Sequence, residues 1–287
     1  MKFAMVGTGL MGYPMAQRLL SSGYELTVFN RTAEKSASLQ KQGARIANDP
    51  MEVVLNSDVI ILMLADFNAV NETMLSANIQ SLLAGKTIIQ MGTIAPDESQ
   101  LLLERFSNHG AEYLEAPVLG SIQQVKAGEL FILAGATEKQ FEEYESLFKI
   151  FGSTVYHIGE VGKASALKLA LNQLIASLTA SFSLSLGLVQ NSGVDPDLFM
   201  RVLRKSVLYA PTFDKKLDNM KNRNFDPPNF PVKHLLKDIE LILKSSVKAG
   251  LNTAHLNGVR EILVKTVEAG MEEKDYSALY NAVNPAT

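Results

Sequence analysis

The sequence predicts an α/β domain with a doubly wound, mostly parallel sheet, followed by an all-α half. Three observations carry this. Apolar strand-like runs alternate with helical periodicities from residue 3 to about residue 158, the pattern of strands joined by crossover helices. A glycine-rich turn separates the first run from the first helical pattern. From about residue 161 onward the periodic segments have helical spacing, with no convincing strand among them.

The elements follow in order. Phe3–Val6 is a short apolar run that meets Gly7-Thr8-Gly9-Leu10-Met11-Gly12. Met15, Ala16, Leu19 and Leu20 then repeat at helical spacing until Gly23, and Leu26–Phe29 is a second run ending in Asn30-Arg31-Thr32. Further strand-like runs cover residues 59–64, 87–91, 112–117, 130–134 and 154–158, with helical stretches such as 34–42 and 98–109 between them. Helical patterns over 164–192, 196–206, 212–220, 235–249 and 253–268 form the second half. The glycines of residues 159–162 flank a polar break and set the boundary, giving domains 1–161 and 162–287.

Composition narrows the function. The 287 residues are 47% hydrophobic and 20% charged, ordinary for a soluble two-domain protein. A net charge of −3 offers no basic field, so neither nucleic acid nor an anionic membrane is expected as a partner. There are no cysteines, which excludes disulfides, thiolate catalysis and cysteine-ligated metal. His109, His157, His234 and His255 have no ligand spacing, and no metal site is expected. The first residues read as a strand that carries a binding site rather than a removable signal, and a cytoplasmic enzyme is the expectation. Between Ala164 and Gln190 the one charged residue is Lys168. The stretch 174–189 carries four serines and a threonine and falls short of the about 20 apolar residues of a membrane span. It reads as a buried helix of the second domain or an interface between copies.

Strand, glycine turn, helix and strand in this order form a dinucleotide-binding unit. Gly7 permits the tight turn, Gly9 lets a phosphate approach the backbone, and Gly12 lets the helix pack on the sheet. With Thr8, Leu10 and Met11 these residues present the helix N–H groups and partial positive charge to a pyrophosphate. The end of the second strand reports the cofactor. An NAD site usually has Asp or Glu there; this chain has Asn30, Arg31 and Thr32. A guanidinium can bind a 2′-phosphate that a carboxylate would repel, so NADPH is expected over NADH.

Lys168 and Asn172 are four apart and share a helix face. Taken alone, Lys168 reads equally as a lysine snorkelling from a helix end. Ala116-Pro117-Val118-Leu119-Gly120-Ser121 follows a strand end, where open α/β sheets bind ligands. Gly120 and Ser121 can offer N–H and O–H donors to a carboxylate there, or form an ordinary loop. Lys237-Asp238 stands early in a late helix, as a site pair or a solvated one.

With these motifs in order, the chain resembles the β-hydroxyacid dehydrogenase family over nearly its full length. The segments are VGTGLMGYPMAQRLL, VIILML, MGTIAP, EAPVLGS with AGELFILAGA, GKASALKLALNQL and LLKDIELILK. The resemblance implies a Rossmann domain, a long joining helix, an all-helical domain and a substrate in the cleft between the two. Lys168 matches the family's catalytic lysine and Asn172 its partner. Thr93 matches the residue near the nicotinamide, and Met63, Leu64 and Ala65 the loop lining the cofactor. Leu119-Gly120-Ser121 stands where many members have Ser-Gly-Gly, and is similar to the branch of glyoxylate and succinic semialdehyde reductases. Phe230, Lys237 and Asp238 also find matches in that branch, Lys237 toward both substrate and cofactor. The resemblance thus implies NADPH-dependent reduction of a short aldehyde acid, glyoxylate to glycolate or succinic semialdehyde to 4-hydroxybutyrate, with Lys168 as the acid. The alternatives are 3-hydroxyisobutyrate or tartronate semialdehyde oxidoreduction, imine reduction, against which Lys168 argues, and a cofactor-binding module without catalysis. Members are homodimers or homotetramers, and the same is expected here.

Overall fold

A computed structural model describes residues 1–285; residues 286 and 287 of the expected second domain lie outside the described residues. The chain divides into two compact units, Met1–Lys168 and Leu169–Thr287.

The first unit contains β1 (Phe3–Val6), α1 (Gly12–Ser21), β2 (Leu26–Phe29), α2 (Ala37–Gln40), β3 (Arg45–Ile46), α3 (Pro50–Leu55), β4 (Val59–Leu62), α4 (Phe67–Met74) and α5 (Ala77–Gln80). It continues through β5 (Thr87–Gln90), α6 (Pro96–Asn108), β6 (Glu112–Glu115), β7 (Val118–Leu119), α7 (Ile122–Ala127), β8 (Phe131–Gly135), α8 (Glu138–Phe151) and β9 (Thr154–Gly159) to the first turns of α9 (Lys163–Asn191). The nine strands form one sheet in the order β3-β2-β1-β4-β5-β6-β8-β7, with β9 on β8. Pairing from β3 to β6 is parallel, and β8 runs antiparallel to β6 and β7. This is the expected doubly wound sheet.

The two-faced burial explains the uninterrupted apolar strands. Phe3 and Met5 of β1 enter one core with Met15 and Leu19 of α1 and Phe148 of α8. Ala4 and Val6 enter a second core with Val53 of α3, Val70 of α4 and Phe106 of α6. Side chains alternate across a strand, so a strand covered on both faces reads as a near-continuous apolar run.

Two strands escaped sequence reading. β3 and β7 have two residues each, too few to show alternation. The expected helix over 34–42 is split into a 3₁₀ turn at Ala33–Lys35 and α2. Between them buried Ser36 turns inward to hydrogen-bond Thr8 Oγ1 at 2.9 Å.

The second unit is helical: the rest of α9, then α10 (Pro196–Arg204), α11 (Pro211–Lys221), α12 (Val232–Lys248), α13 (Ala254–Glu268) and α14 (Leu279–Val283). Its described residues hold no strand beyond one isolated bridge, Pro231 with Asp275. One core joins Leu169 and Ala176 of α9 to Leu235 and Ile239 of α12 and Leu263 of α13. A second joins Phe182 and Leu186 to Met200, Phe213 and Tyr280. A buried ion pair, Lys216 Nζ to Asp275 Oδ1 at 2.8 Å, ties α11 to the segment before α14, and the Ser277 hydroxyl donates to the same carboxylate.

Helix α9 is 29 residues long, and by length and composition it would suffice to cross a membrane. It is not apolar-buried all round. Leu174, Leu184 and Leu188 are 51%, 64% and 67% exposed on one stripe, while Ala176, Ala180, Phe182 and Leu186 face the cores. Thr179 and Ser183 satisfy their hydroxyls on the carbonyls four residues back.

Candidate active site

The C-terminal ends of β1, β4 and β5 build the first half of the site. Neighbouring strands on the two sides of β1 lead into helices on opposite faces, which leaves a crevice at this switch point. Gly7 adopts φ +93°, and a Cβ there would strike the Met63 carbonyl oxygen. A Cβ at Gly12 would strike the Gly7 carbonyl oxygen. Above Gly9 a Cβ would meet nothing, so the turn is open there.

The N-terminus of α1 is open too. Side chains of Asp49, Asp66 and Thr137 cap α3, α4 and α8. Helix α1 has no side-chain cap and no acid in its first turn, so its leading N–H groups and positive dipole end face the space beside Gly9. Leu10 is exposed and Met11 half-buried along this edge. The residues present fit the pyrophosphate of a nicotinamide dinucleotide.

The second strand end is braced from within. Asn30 Oδ1 accepts from the Thr8 backbone N–H at 3.0 Å, and Asn30 Nδ2 donates to the Thr32 carbonyl at 2.9 Å. A carboxylate could make the first bond and not the second. Asn30 therefore braces the glycine turn against the end of the second strand. Arg31 and Thr32 are exposed beside it, and Arg31 makes no hydrogen bond or ion pair among the described residues.

Met63 and Leu64 are half-buried and Ala65 exposed where β4 ends. The Met63 N–H bonds the Val6 carbonyl at 2.9 Å. Thr93, half-buried, follows β5. Gly120, at φ +141°, lies just after β7 in a conformation that favours glycine, and a Cβ there would also press on Leu130. Ser121 opens α7, and both its N–H and its hydroxyl donate to Gln124 Oε1 in a capping box. Its two donors thus already grip one acceptor oxygen; a substrate carboxylate would have to take the place of Gln124. The sequence reading missed this competition, although the Ser-x-x-Gln spacing signals it.

Lys168 lies in the second turn of α9 and is only 8% exposed. Asn172, one turn later, is buried, and its Nδ2 donates to Asp238 Oδ2 of α12 at 2.6 Å. Lys237 Nζ lies 2.9 Å from the other oxygen of the same carboxylate, an ion pair by distance without hydrogen-bond alignment. Asp238 is buried and Lys237 partly exposed, so the pair is not the solvated one that its neighbours in sequence would suggest. One turn earlier, burial pushes the His234 imidazole below its ordinary pKa, and the Lys237 and Lys233 charges act the same way. Phe230 stacks on His234 and meets the Tyr276 ring edge-on, packed against the core of the helical unit. No group of three or more metal-ligating side chains occurs among the described residues.

Residues 2–159 match the model of the NAD-binding domain of 6-phosphogluconate dehydrogenase. Residues 162–283 match that of the NAD-binding domain of NADP-dependent 3-hydroxyisobutyrate dehydrogenase. Two Arabidopsis thaliana proteins are similar throughout. Glyoxylate/succinic semialdehyde reductase 1 is 30% identical over 99% of this chain and 98% of its own, and reductase 2, chloroplastic, is 31% identical over 98% and 79%. The cytokine-like nuclear factor N-PAC of Homo sapiens is 31% identical over 98% of this chain, which spans 51% of that protein. Among solved structures, Mycobacterium tuberculosis 3-hydroxyisobutyrate dehydrogenase with L-serine superposes with a TM-score of 0.88 at 20% identity, covering 98% of each chain. The chain is thus a nicotinamide-dependent oxidoreductase of the hydroxyacid class. It belongs to the β-hydroxyacid dehydrogenase family.

Proposed function

We propose that this protein reduces short aldehyde acids with NADPH, glyoxylate and succinic semialdehyde first among them, and that it works as a homodimer or homotetramer. The observation that carries the reading is Lys168: a nearly buried cation on a helix segment with no other charge from 164 to 190. A largely desolvated ammonium interacts strongly with negative charge that develops on an oxygen beside it.

Bound NADPH would supply the hydride for the carbonyl carbon. Charge then develops on the carbonyl oxygen, and the Lys168 ammonium stabilises it and delivers the proton. Asn172 orients Lys168; its own amide is fixed by the Asp238 carboxylate. Gly120 and Ser121 of the sheet unit would serve the substrate carboxylate, and Lys237 and Phe230 are the residues of the helical unit assigned to the substrate by the resemblance. Asp238 balances the local positive charge. The α1 N-terminus would hold the pyrophosphate, Thr93 and the Met63, Leu64 and Ala65 turn would serve the nicotinamide end, and Arg31 would take the 2′-phosphate. The names of the two Arabidopsis relatives support the substrate class.

A binding-only reading has one observation in its favour, the match to a nuclear factor. Turnover decides between them. NADPH oxidation is followed with glyoxylate, succinic semialdehyde, methylmalonate semialdehyde, tartronate semialdehyde and a cyclic imine. Turnover fastest on the first two is expected. Preference for either of the next two moves the chain to the 3-hydroxyisobutyrate or tartronate semialdehyde reading, and no turnover on any favours binding alone.

A further inference from the structure

Glu115, the last residue of β6, is completely buried. Its Oε1 accepts from the backbone N–H of Gly162 at 2.8 Å and of Ser165 at 3.0 Å, and its Oε2 accepts from the Ser165 hydroxyl at 2.5 Å. These are the N–H groups at the cap and third positions of α9, the two that a capping box satisfies reciprocally. Helix α9 cannot build that box itself. Gly162 has no side chain, the third residue is Ser rather than Glu, and the first turn has no acid. Glu115 performs both halves from a neighbouring strand.

The space around it is kept for the carboxylate. Gly135 of β8 pairs with Glu115, and a Cβ on Gly135 would lie 2.5 Å from Oε1. The helix it starts has a cation in its first turn, Lys163, an arrangement the helix dipole disfavours and an anion at the N-terminus offsets.

We propose that Glu115 is a positioning residue for the reduction: by clamping the first turn of α9 to the sheet, it sets the height and rotation of Lys168. Ser165 and Lys168 are three apart and share a helix face, about 4.5 Å along the axis. The proposal rests on Lys168 being the proton donor.

A double-mutant cycle tests it, with kcat, KM, cofactor Kd and melting temperature measured for wild type, Glu115→Ala, Lys168→Ala and the double variant. Glu115→Ala should lower kcat about tenfold to a hundredfold, the scale of a small misplacement of a catalytic group, with cofactor Kd unchanged. In the Lys168→Ala background the same change should leave kcat unaltered. Glu115→Gln, which keeps an acceptor for both N–H groups, should recover most of the loss. Ser165→Ala removes one bond, serves if Glu115→Ala does not fold, and should show a smaller loss that also vanishes without Lys168. Equal fold-losses in both backgrounds, or a lower melting temperature with kcat intact, would overturn the proposal. Near-normal turnover of Lys168→Ala alone would instead remove the proton-donor reading, and this proposal with it.

Discussion

Asn172 donates its side-chain amide to the Asp238 carboxylate across 2.6 Å, and both side chains are buried. Neither is free to drift: an amide deprived of that acceptor inside the helical unit stays desolvated. Asp238→Ala should therefore destabilise the protein by about 1–3 kcal/mol, the cost of an orphaned buried polar group. It should lower kcat as well, because Asn172 loses the contact that orients it. Thermal melts and steady-state kinetics together check this; unchanged kcat would remove Asp238 from the support of Lys168.

Arg31 should decide the cofactor. A charge-assisted contact to the 2′-phosphate is worth about 1.5–3 kcal/mol, so Arg31→Ala should reduce the preference for NADPH over NADH by about tenfold to a hundredfold. The ratio of kcat/KM values for the two cofactors reads it out. Wild-type preference for NADH would refute the assignment.

His234 predicts a pH dependence of stability. Burial and the charges of Lys237 and Lys233 hold its folded pKa below the ordinary 6.5. As pH falls through that ordinary value the unfolded chain takes a proton that the folded one resists, so the unfolded state binds more protons and stability declines. The melting temperature should fall more steeply below about pH 6.5 for wild type than for His234→Gln. Parallel curves would show that the imidazole is not held neutral.

The exposed leucines of α9 predict assembly. Leu184 and Leu188, one turn apart, are about two-thirds exposed, and with Leu174 they form an apolar stripe. Light scattering after size exclusion should give a dimer or tetramer for wild type and a smaller species for Leu184→Lys with Leu188→Lys. A monomeric wild type would contradict the proposal.

The sheet was legible because strands such as Phe3–Val6 and Val59–Leu62 are uninterrupted apolar runs, and the turn because Gly7 and Gly12 have no substitute at those contacts. The pairs within the site were less so. Asn172 and Asp238 are 66 residues apart, and Glu115 and Ser165 are 50 apart; no local periodicity announces such partners. A carboxylate at the end of a strand, and a long helix starting at a glycine with no acid in its first turn, were the signals for Glu115, and they become readable only together. Asn30 was legible as the end of the second strand; its brace to Thr8 and Thr32 was not.

The central claim is that Lys168 is the acid in an NADPH-dependent reduction. Wild type and Lys168→Ala should be compared for NADPH oxidation with glyoxylate or succinic semialdehyde, alongside NADPH binding by fluorescence. The account predicts that kcat falls by about 10²- to 10⁴-fold, the contribution of a general acid, while the NADPH Kd is unchanged. A variant that binds NADPH normally and turns over at close to the wild-type rate would contradict it.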